Sequence, residues 1–375
     1  MNDDTNNGVK PQVVAGIFAI IVAIISGVFL LITTWWPELP TPPKHLNGGH
    51  PEEEVSNSTG ASTENGADNL SVPVDGNAVP ISDYEGLYGI LGNLSGTYYL
   101  TQDIDLEEIP LKEAWGVIGA TQKAVFSGTF DGRGHTIKNM IIEDSHGGLF
   151  YAVSGTVRNL IVEDATIEYG AHESAVIASV LKDGGILENI LIENARSVLH
   201  EEETSKGLLV CYSDNGTINC CGVTGELWST HGNQGTLVGT AKDTNIINSF
   251  ARVQLHPNIG VCGGLVGSGD HVSISYSYCA NNYFLSPTVI HQTSFGPLIG
   301  NGAENHNSIE KCYYLSQNAN DGGLKSHQMK VKASFIDWDF EADSAWMMDD
   351  RSDVTEEERL NDGYPTLRVF NTMRN

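Results

Sequence analysis

Carboxylates are the side chains of this sequence best suited to cleaving a polymer, because paired Asp and Glu residues can hydrolyse glycosidic bonds. Three glutamates fall where they could line one face of the folded chain, namely Glu163, Glu188 and Glu193. Single carboxylates spaced along strands are ordinarily a solvated outer face, and no acids of successive coils plainly converge here. We therefore predict no catalytic residue and keep a polysaccharide-cleaving enzyme as the alternative.

The signals for metal and cofactor sites are weak. Asp103, Asp105 and Asp131 are oxygen ligands of the kind that Ca²⁺ takes, but no D-x-[DN]-x-[DN]-G loop and no GGxGxDxUx array accompanies them. His172-Glu173 begins an H-E-x-x-H pattern that fails at Val176. The sequence predicts no cofactor and no metal; solubility is the favoured role of the acidic residues, and calcium the minor alternative.

Two other patterns suggest ligands but have simpler explanations. The glycine-rich run from Asp131 to His135 lacks the Lys-Ser/Thr ending of a phosphate loop, so we interpret it as a turn between strands. Several tyrosines could stack on sugar rings, although Tyr is also a favoured residue of strands. These tyrosines are Tyr276, Tyr278, Tyr283, Tyr313 and Tyr314.

The charge of the chain limits its partners. Its formal net charge is -27, with 20 basic residues against 47 acidic ones. Binding to nucleic acid or docking on anionic lipid needs clustered Lys and Arg. We therefore predict no nucleic-acid partner.

A repeat between Ala124 and Asn320 must position all of these residues. Short strands rich in Val, Ile, Thr and Tyr alternate with Gly, Asn, Asp and Ser, and no run has the period of a helix pair. The residues that open each second strand recur at steps of 20, 30, 31, 28, 28 and 35 residues; they are Ile137, Val157, Leu187, Ile218, Ile246, Ile274 and Ile309. Units of this size bury nothing alone and must stack. The sequence predicts an all-β fold, a right-handed parallel β-helix of about seven coils.

Stacked coils place equivalent residues in columns about 4.8 Å apart. One inward column should contain Leu149, Leu209, Leu237, Leu265 and Leu298, and a second should contain the seven strand-opening residues. Gly239, Gly267 and Gly300 should stack at a corner, where φ can be positive and a Cβ would intrude.

The six cysteines first suggest disulfides, but the repeat puts most of them in different columns. Cys221 and Cys312 share a column three coils apart, roughly 14 Å at the stacking distance, which exceeds the ~7 Å Cα limit for a bridge. We predict mainly buried free thiols. A register error of a few residues would leave Cys262 and Cys279 as a possible pair.

The phrase Gly264-Leu265-Val266-Gly267 and the run from Phe126 to Ile137 resemble the GLUG-repeat family, named for its Gly-Leu-any-Gly motif. The similarity covers roughly Tyr84 to Phe370, including closing-segment residues such as Trp338, Trp346 and Tyr364-Pro365. The phrases that begin at Val176 and Gly207 lack the final Gly. The resemblance implies a β-helix at a cell surface, often in adhesins, and no single activity.

The N-terminal part has a different composition. Val13 to Thr34 is a stretch of 22 residues without a charge, long enough to cross a hydrocarbon core of roughly 30 Å as a helix. Trp35 and Trp36 follow, as is typical of a membrane interface. We predict an uncleaved single-pass anchor (residues 13–36) that leaves most of the chain outside the cell. A cleaved signal peptide is the alternative, but the run is longer than an h-region of about 7 to 15 residues.

The predicted span carries a stripe of small residues, Ala15, Ala19, Ala23 and Gly27. Such stripes let membrane helices pack closely, which would allow a homo-oligomer or a subunit of an envelope assembly. Ala and Gly are also simply common in such helices, so both explanations remain open.

The predicted organisation is a short cytoplasmic tail (1–12), the anchor (13–36), an acidic disordered stalk (37–83), a lead-in and cap (84–123), the repeats (124–320) and a C-terminal capping segment (321–375). The stalk has eight acidic residues against Lys44 alone and cannot bury enough apolar surface to fold. We predict a membrane-anchored surface protein that is adhesive or structural and binds a glycan, a cell or an envelope partner.

Overall fold

Short strands of the chain stack into parallel sheets, in a computed structural model that describes residues 76–107, 124–143, 147–168, 173–198, 205–228, 232–257, 260–283, 293–301, 306–317, 321–356 and 358–374. The predicted tail, the membrane span with its stripe of small residues and most of the stalk lie outside these residues. Among the described helices, none has the length and apolar character needed to cross a membrane.

The strands are short and follow one another closely along the chain. The first twelve are β1 (Val79–Ile81), β2 (Thr97–Leu100), β3 (Ile104–Asp105), β4 (Val125–Phe126), β5 (Thr129–Asp131), β6 (Thr136–Lys138), β7 (Ile141–Ile142), β8 (Phe150–Val153), β9 (Thr156–Glu163), β10 (Thr166–Ile167), β11 (Ala178–Lys182) and β12 (Ile186–Ser197). The next ten are β13 (Ser205–Lys206), β14 (Val210–Asp214), β15 (Thr217–Asn219), β16 (Gly222–Trp228), β17 (Asn233–Gly235), β18 (Val238–Lys242), β19 (Asn245–Ile247), β20 (Phe250–His256), β21 (Gly260–Gly263) and β22 (Val266–Asp270). The last nine are β23 (Ser273–Ser275), β24 (Tyr278–Cys279), β25 (Asn282–Tyr283), β26 (Thr293–Gly296), β27 (Ile299–Asn301), β28 (Ser308–Glu310), β29 (Tyr313–Tyr314), β30 (Trp346–Met347) and β31 (Thr366–Leu367).

Helices are few and lie near the ends of the described chain. The α-helices are α1 (Tyr84–Gly89) and α2 (Arg368–Met373), and single 3-10 turns span Ile90–Gly92, Gln328–Lys330, Lys332–Ser334 and Leu360–Gly363. Helix α1 begins at Asp83, whose Oδ1 accepts a hydrogen bond from the backbone N of Gly86 at 2.9 Å, as expected of an N-cap residue.

Three parallel sheets form the walls of a solenoid. Sheet A has 18 strands, sheet B has seven in the order β27-β22-β18-β14-β11-β8-β4, and sheet C has four in the order β13-β17-β21-β26. Each strand pairs in parallel with its equivalent one coil away, as β14 does with β18 and β18 with β22. The prediction of a parallel β-solenoid is confirmed. The solenoid has about five turns where about seven were predicted. Its longest regular column of strands, sheet B, contains seven strands. The right-handed sense stays a prediction.

The first predicted inward column is confirmed. All five of its leucines are buried, with at most 5% of their surface exposed; they are Leu149, Leu209, Leu237, Leu265 and Leu298. They belong to one apolar cluster that runs through the solenoid. Burial of identical side chains by neighbouring coils is what allows such short strands to be stable.

The second predicted column needs one correction. Leu187, Ile218, Ile246 and Ile274 do stack in register, but Ile137 pairs with Val162 and Ile104 instead of Val157. The coil before Val157 fills this place in the column with Phe130, which pairs with Val157. The anomalous step of 20 residues in the sequence series has this cause. At the other end of the column, Ile309 is 48% exposed.

The predicted glycine column exists, but for a different reason. Gly239, Gly267 and Gly300 occupy equivalent places inside strands of sheet B and none has a positive φ. A Cβ at Gly267 would lie 2.5 Å from the backbone N of Gln234 in sheet C. These positions are therefore limited by the close approach of two sheets. Where the sequence lacks the glycine, buried Ser179 and Cys211 take the place, and each donates to a backbone carbonyl.

The corners with positive φ are held mainly by Asn and Asp, which tolerate this conformation better than most residues. The corner between sheets B and A repeats this conformation at Asp183, Asn215, Asp243, His271 and His306. We call this set the corner column. A second such set contains Asn159 and Asn189, whose amides are hydrogen-bonded at 2.9 Å.

All six cysteines are described, and none is in a disulfide. Four are buried and two are half-buried, Cys220 and Cys312, as predicted for thiols that pack as small hydrophobic groups. Burial raises the pKa of Cys262 to about 12 and the pKa of Cys312 to about 11. The thiolate, which is the reactive form, is therefore disfavoured.

The two terminal segments differ from the prediction. Strand β1 pairs with β2 although it lies inside the predicted disordered stalk, so the folded part begins before residue 84. Leu87 and Ile90 close the first coil and are fully buried. The C-terminal segment (residues 321–374) was expected to cap an end of the solenoid; it lies along an outer face instead. It buries Ile161, Leu191, Phe250 and Tyr278 of sheet A and packs against half-buried Tyr313; we call these five residues the flank column.

Candidate functional site

Polar side chains from four successive coils stand in a row on the outer face of sheet A. The registers of β12, β16, β20 and β25 place Arg196 opposite Glu226, Glu226 opposite Gln254, and Gln254 opposite Asn282. Leu227 and Leu255, the next residues along their strands, are buried in the core, because successive side chains of a strand point to opposite faces. Since Leu227 and Leu255 point inward, the polar side chains just before them point outward.

A groove of about 370 Å³ runs beside this row. Its polar walls come from Arg196, Glu226, Arg252, Gln254 and Asn282, and Tyr364 of the C-terminal segment closes one side. We call this feature the flank groove. It is open to solvent and polar, which is typical of sites for hydrated ligands rather than for apolar ones.

Glu226 has basic side chains on both sides. Its Oε2 lies 3.7 Å from Nε of Arg196, and its Oε1 lies 2.9 Å from Nε2 of His256. The carboxyl side chain is 29% exposed, against 63% for Arg196. Glu226 is therefore fixed in place while Arg196 is accessible to a ligand.

A flat aromatic pair lies at the edge of the flank groove. Trp228 and His256 are paired in register, and their rings stack with centroids 3.7 Å apart and planes at 1°. The Glu226 carboxylate lies within ion-pair distance of Nε2 of this imidazole. Trp228 and His256 lie two residues after Glu226 and Gln254 on their strands, so the stack is next to the polar row on the same face of sheet A.

Arg252 connects the floor of the groove to the C-terminal segment. Its Nη1 donates to Oδ1 of Asn361 at 2.6 Å, its Nη2 donates to Asp362, and its guanidinium lies 4.6 Å from the ring centroid of Tyr364. Asn361 and Asp362 both have positive φ, so a tight turn presents them to the arginine. The shape of the groove thus depends on a contact between residues more than 100 positions apart.

Gly225 allows the coils to meet under the groove. Its φ is +141°, and a Cβ there would lie 2.0 Å from the carbonyl oxygen of Ala195. Since L side chains rarely adopt this conformation and the space is filled by backbone, only glycine fits. The close approach keeps Arg196 and Glu226 in register next to it.

The glutamates considered in the sequence analysis do not form one site. Glu163 pairs with Lys138 at 2.8 Å, and Glu188 accepts from Asn219 at 3.0 Å. Glu193 is adjacent to Glu163 in register but is bonded to Arg374 of the C-terminal segment. Each carboxylate has a separate structural partner.

The three aspartates considered for calcium also serve the fold. Asp103 accepts from the backbone N of Thr136 at 2.9 Å. A hydrogen bond from Asn139 lowers the pKa of Asp105, helped by one from its own loop. Asp131 is buried and accepts from Arg158 and Asn159 at 3.1 and 3.0 Å. At least one oxygen of each of these carboxylates is therefore bonded within the fold.

Of the five tyrosines considered for sugar stacking, Tyr278 is buried and the other four are half-buried. Tyr278 is fully buried, and burial raises the pKa of its hydroxyl well above the usual range. Tyr313 packs against Phe335 and Trp338 of the C-terminal segment. Their role is the attachment of this segment. His172 of the failed H-E-x-x-H pattern lies outside the described residues.

The flank groove was not predicted from the sequence, although one signal was present. Glu226, Gln254 and Asn282 follow one another at 28 residues, the same step as two of the steps between strand-opening residues. Polar residues at the repeat period must share a column, whatever their identity.

A larger cavity of about 540 Å³ lies at the last coils, with Tyr283, Phe295 and Tyr314 among its walls. Several of its lining residues are neighbours in the sequence of the stretches 284–292 and 318–320, which are outside the described part of the chain. The flank groove, whose walls are all described, is therefore the better-defined candidate.

Solved structures that resemble this chain share its fold. One, from Bacteroides ovatus and provisionally described as an immunoglobulin A1 protease, has a TM-score of 0.54 at 18% identity and covers 81% of this chain and 97% of that one. Another, an IgA1 protease, has a TM-score of 0.43 at 16% identity and covers 69% of this chain but 20% of its own length. No family model and no curated protein matches the chain, so the GLUG resemblance stays a prediction. The likeness to the first structure is one of fold, a parallel β-solenoid.

Proposed function

We propose that the chain is a binding protein whose flank groove takes an extended, hydroxyl-rich polymer such as a glycan. The observation that supports this is the in-register row from Arg196 to Asn282, which repeats polar groups at the coil spacing along one open groove. A polymer with a repeating unit could make equivalent contacts with the groups of successive coils.

The donors and acceptors of the groove suit hydroxyl groups. Gln254 and Asn282 are exposed, and each amide offers two donor hydrogens and an acceptor oxygen. Arg196 adds a planar donor, and Glu226 adds an acceptor. Tyr364 brings an aromatic ring to the wall of the same groove. These groups can hydrogen-bond a sugar hydroxyl in either direction.

The wider role that we propose is adhesion at a cell surface. In this proposal the predicted anchor from Val13 to Trp36 attaches the protein to the membrane. The acidic stalk between the anchor and the solenoid keeps the solenoid away from the membrane. Self-association through Ala15, Ala19, Ala23 and Gly27 is a separate proposal, and the groove does not depend on it.

The test is a glycan array probed with the purified full-length protein, followed by titration of any hit. The double variant Gln254→Ala/Asn282→Ala should lose most of the binding, because two of the exposed groups of the row are removed. The matched control is Asn245→Ala/Ser308→Ala, which alters exposed polar residues of sheet A outside the groove. Equal binding by the two double variants, or no binding to any glycan, would reject the proposal.

Glycan cleavage is the second candidate, favoured by one contact. Glu226 of the groove wall lies 2.9 Å from His256, which is beside the groove, and a carboxylate beside an imidazole can serve as an acid and base pair. New reducing or unsaturated sugar ends, released by the native protein and not by Glu226→Gln, would support an enzyme. Binding without release of such ends supports the adhesive role.

A further inference from the structure

Two histidines from different coils meet at the corner between sheets B and A. His271 follows β22 and His306 precedes β28, and their rings stack with centroids 4.9 Å apart and planes at 17°. Nδ1 of His271 also lies 3.0 Å from Oδ1 of Asp270. One ligand atom from each of these three residues lies within 4.8 Å of the others.

The backbone does not require histidine at this corner. The same place in the corner column is held by Asp183, Asn215 and Asp243 in the earlier coils, all with positive φ. Histidine replaces them only in the last two coils, at His271 and His306. An adjacent pair of imidazoles is therefore a departure from the repeat.

The charge around the corner changes as well. In two earlier coils a lysine precedes the corner aspartate and pairs with it, at 3.0 Å for Lys182 and Asp183 and at 3.7 Å for Lys242 and Asp243. In the coil between them Asp214 precedes Asn215. At β22 Asp270 again supplies an acid in this place, but the corner residues beside it are now His271 and His306. The corner thus combines one carboxylate with two imidazoles.

Asn307 fixes the two corners relative to each other. Its Oδ1 accepts from the backbone N of Val272 at 2.8 Å, and its Nδ2 donates to the carbonyl of Gly269 at 3.1 Å. The residues on both sides of His271 are thereby bonded to the residue after His306. The three ligand groups are preorganised by backbone contacts.

We propose that Asp270, His271 and His306 bind one divalent transition-metal ion of the Zn²⁺ class and so join the last two coils. Two imidazoles and one carboxylate are ligands that zinc accepts, and three protein ligands leave a position for water or a further group. Calcium and magnesium prefer oxygen ligands alone and are not matched by this set.

The last coil has a physical need for such a link. Ser308, Ile309 and Glu310 of β28 are all exposed, so few apolar contacts hold this strand to β23. A metal bound only by the folded state stabilises it by mass action. Lys242 is beside Asp270 in register and would compete with the metal for this carboxylate.

The experiment is calorimetric titration of the purified full-length, metal-stripped protein with ZnCl₂, and with CaCl₂ for comparison. We expect one tight zinc site that is absent in His306→Ala and in His271→Ala, and weakened in Asp270→Asn. Loss of a ligand should weaken binding at least as much as the roughly 10–100-fold loss typical of outer-shell partners. His327→Ala, which removes an exposed histidine elsewhere, should bind zinc as the native chain does.

A second readout separates this site from adventitious binding to the other histidines. Zinc should slow hydrogen exchange of the amides of residues 306–314 and raise the melting temperature of the native protein, but not of His306→Ala. Retention of the tight site in both histidine variants would overturn the proposal. Protection elsewhere, with none at residues 306–314, would do the same.

Discussion

The solenoid interior and the flank column bury apolar side chains in opposite ways. The interior stacks small aliphatic residues on their equivalents one coil away, as Leu237 and Leu265 do. The flank column also stacks Phe250 on Tyr278 one coil away, but it then sets both against aromatic rings of the C-terminal segment, such as Trp338 and Trp346. The packing contacts of the interior are repeated from coil to coil. The contacts of the flank occur once and join parts of the chain that are distant in sequence.

The difference implies two kinds of cooperativity. A coil of the interior depends on its neighbours, so damage there should spread along the axis. The flank joins several coils to one segment. A destabilising substitution there should therefore release the C-terminal segment while the sheets stay folded.

Leu265→Ala should have the largest effect. Leu265 is fully buried between coils, and deletion of such a side chain costs about 2–5 kcal/mol in free energy of unfolding. Urea unfolding followed by circular dichroism should show a lower midpoint. Ile186→Ala removes a strand aliphatic that is 37% exposed and should cost less than about 1 kcal/mol. Similar costs for the two variants would contradict the inward column.

Asp349→Asn should weaken the C-terminal segment in a pH-dependent way. A hydrogen bond from Arg351 holds the pKa of Asp349 well below its usual range, helped by one from the backbone of Leu360. Because the folded pKa is lower than the unfolded value of about 3.9, the contribution is present above that value and is lost as the pH falls through it towards the folded pKa. Hydrogen bonds to a charged group are worth about 1.5–3 kcal/mol.

The measurement is unfolding followed by tryptophan fluorescence at pH 7 and pH 3. The native protein should exceed Asp349→Asn in stability at pH 7, and the gap should shrink at pH 3. Asp350→Asn is the matched control, since Asp350 pairs with Lys332 but its side chain is 78% exposed. A gap for Asp349→Asn that is independent of pH would show that the loop is held by packing alone.

Tyr278→Phe should loosen the flank without harming the interior. The Tyr278 hydroxyl donates to the carbonyl of Pro365 at 2.7 Å and accepts from Asn361 at 2.8 Å. Asn361 also donates to the Pro365 carbonyl, so that acceptor stays satisfied and the loss should be only about 1 kcal/mol. Limited proteolysis should cut the C-terminal segment faster while the sheets stay protected.

The control for Tyr278→Phe is Tyr276→Phe, because that hydroxyl is on the surface and bonded to Lys311 at 3.1 Å. Cleavage rates should rise for the first variant alone. Faster digestion of the repeats in Tyr278→Phe would mean that the flank and the interior unfold together.

The difference between repeated contacts of the interior and non-repeated contacts of the flank explains which features could be predicted from the sequence. The leucine column was readable because each coil repeats it, and the polar row of the flank groove could have been read from its 28-residue step. The place of the C-terminal segment could not, since Arg252 bonds Asn361 at a separation of 109 residues and Tyr278 bonds Pro365 at 87. No period in the sequence records such contacts. The glycine column was predictable in part. The repeat showed where these glycines lie, but only the folded structure showed that the close approach of sheet C excludes a side chain there.

Glu163→Gln should have the smallest effect and tests the outer face that neither apolar region covers. Glu163 pairs with Lys138 at 2.8 Å, but the side chains are 29% and 38% exposed, and exposed ion pairs contribute about 0–1 kcal/mol. The urea midpoint should hardly move, and any glycan binding should be unchanged because Glu163 is outside the flank groove. Glu310→Gln, at an exposed site on the last coil, gives the baseline for removing one negative charge. A loss of binding in Glu163→Gln alone would move the functional face from the later coils to the first ones.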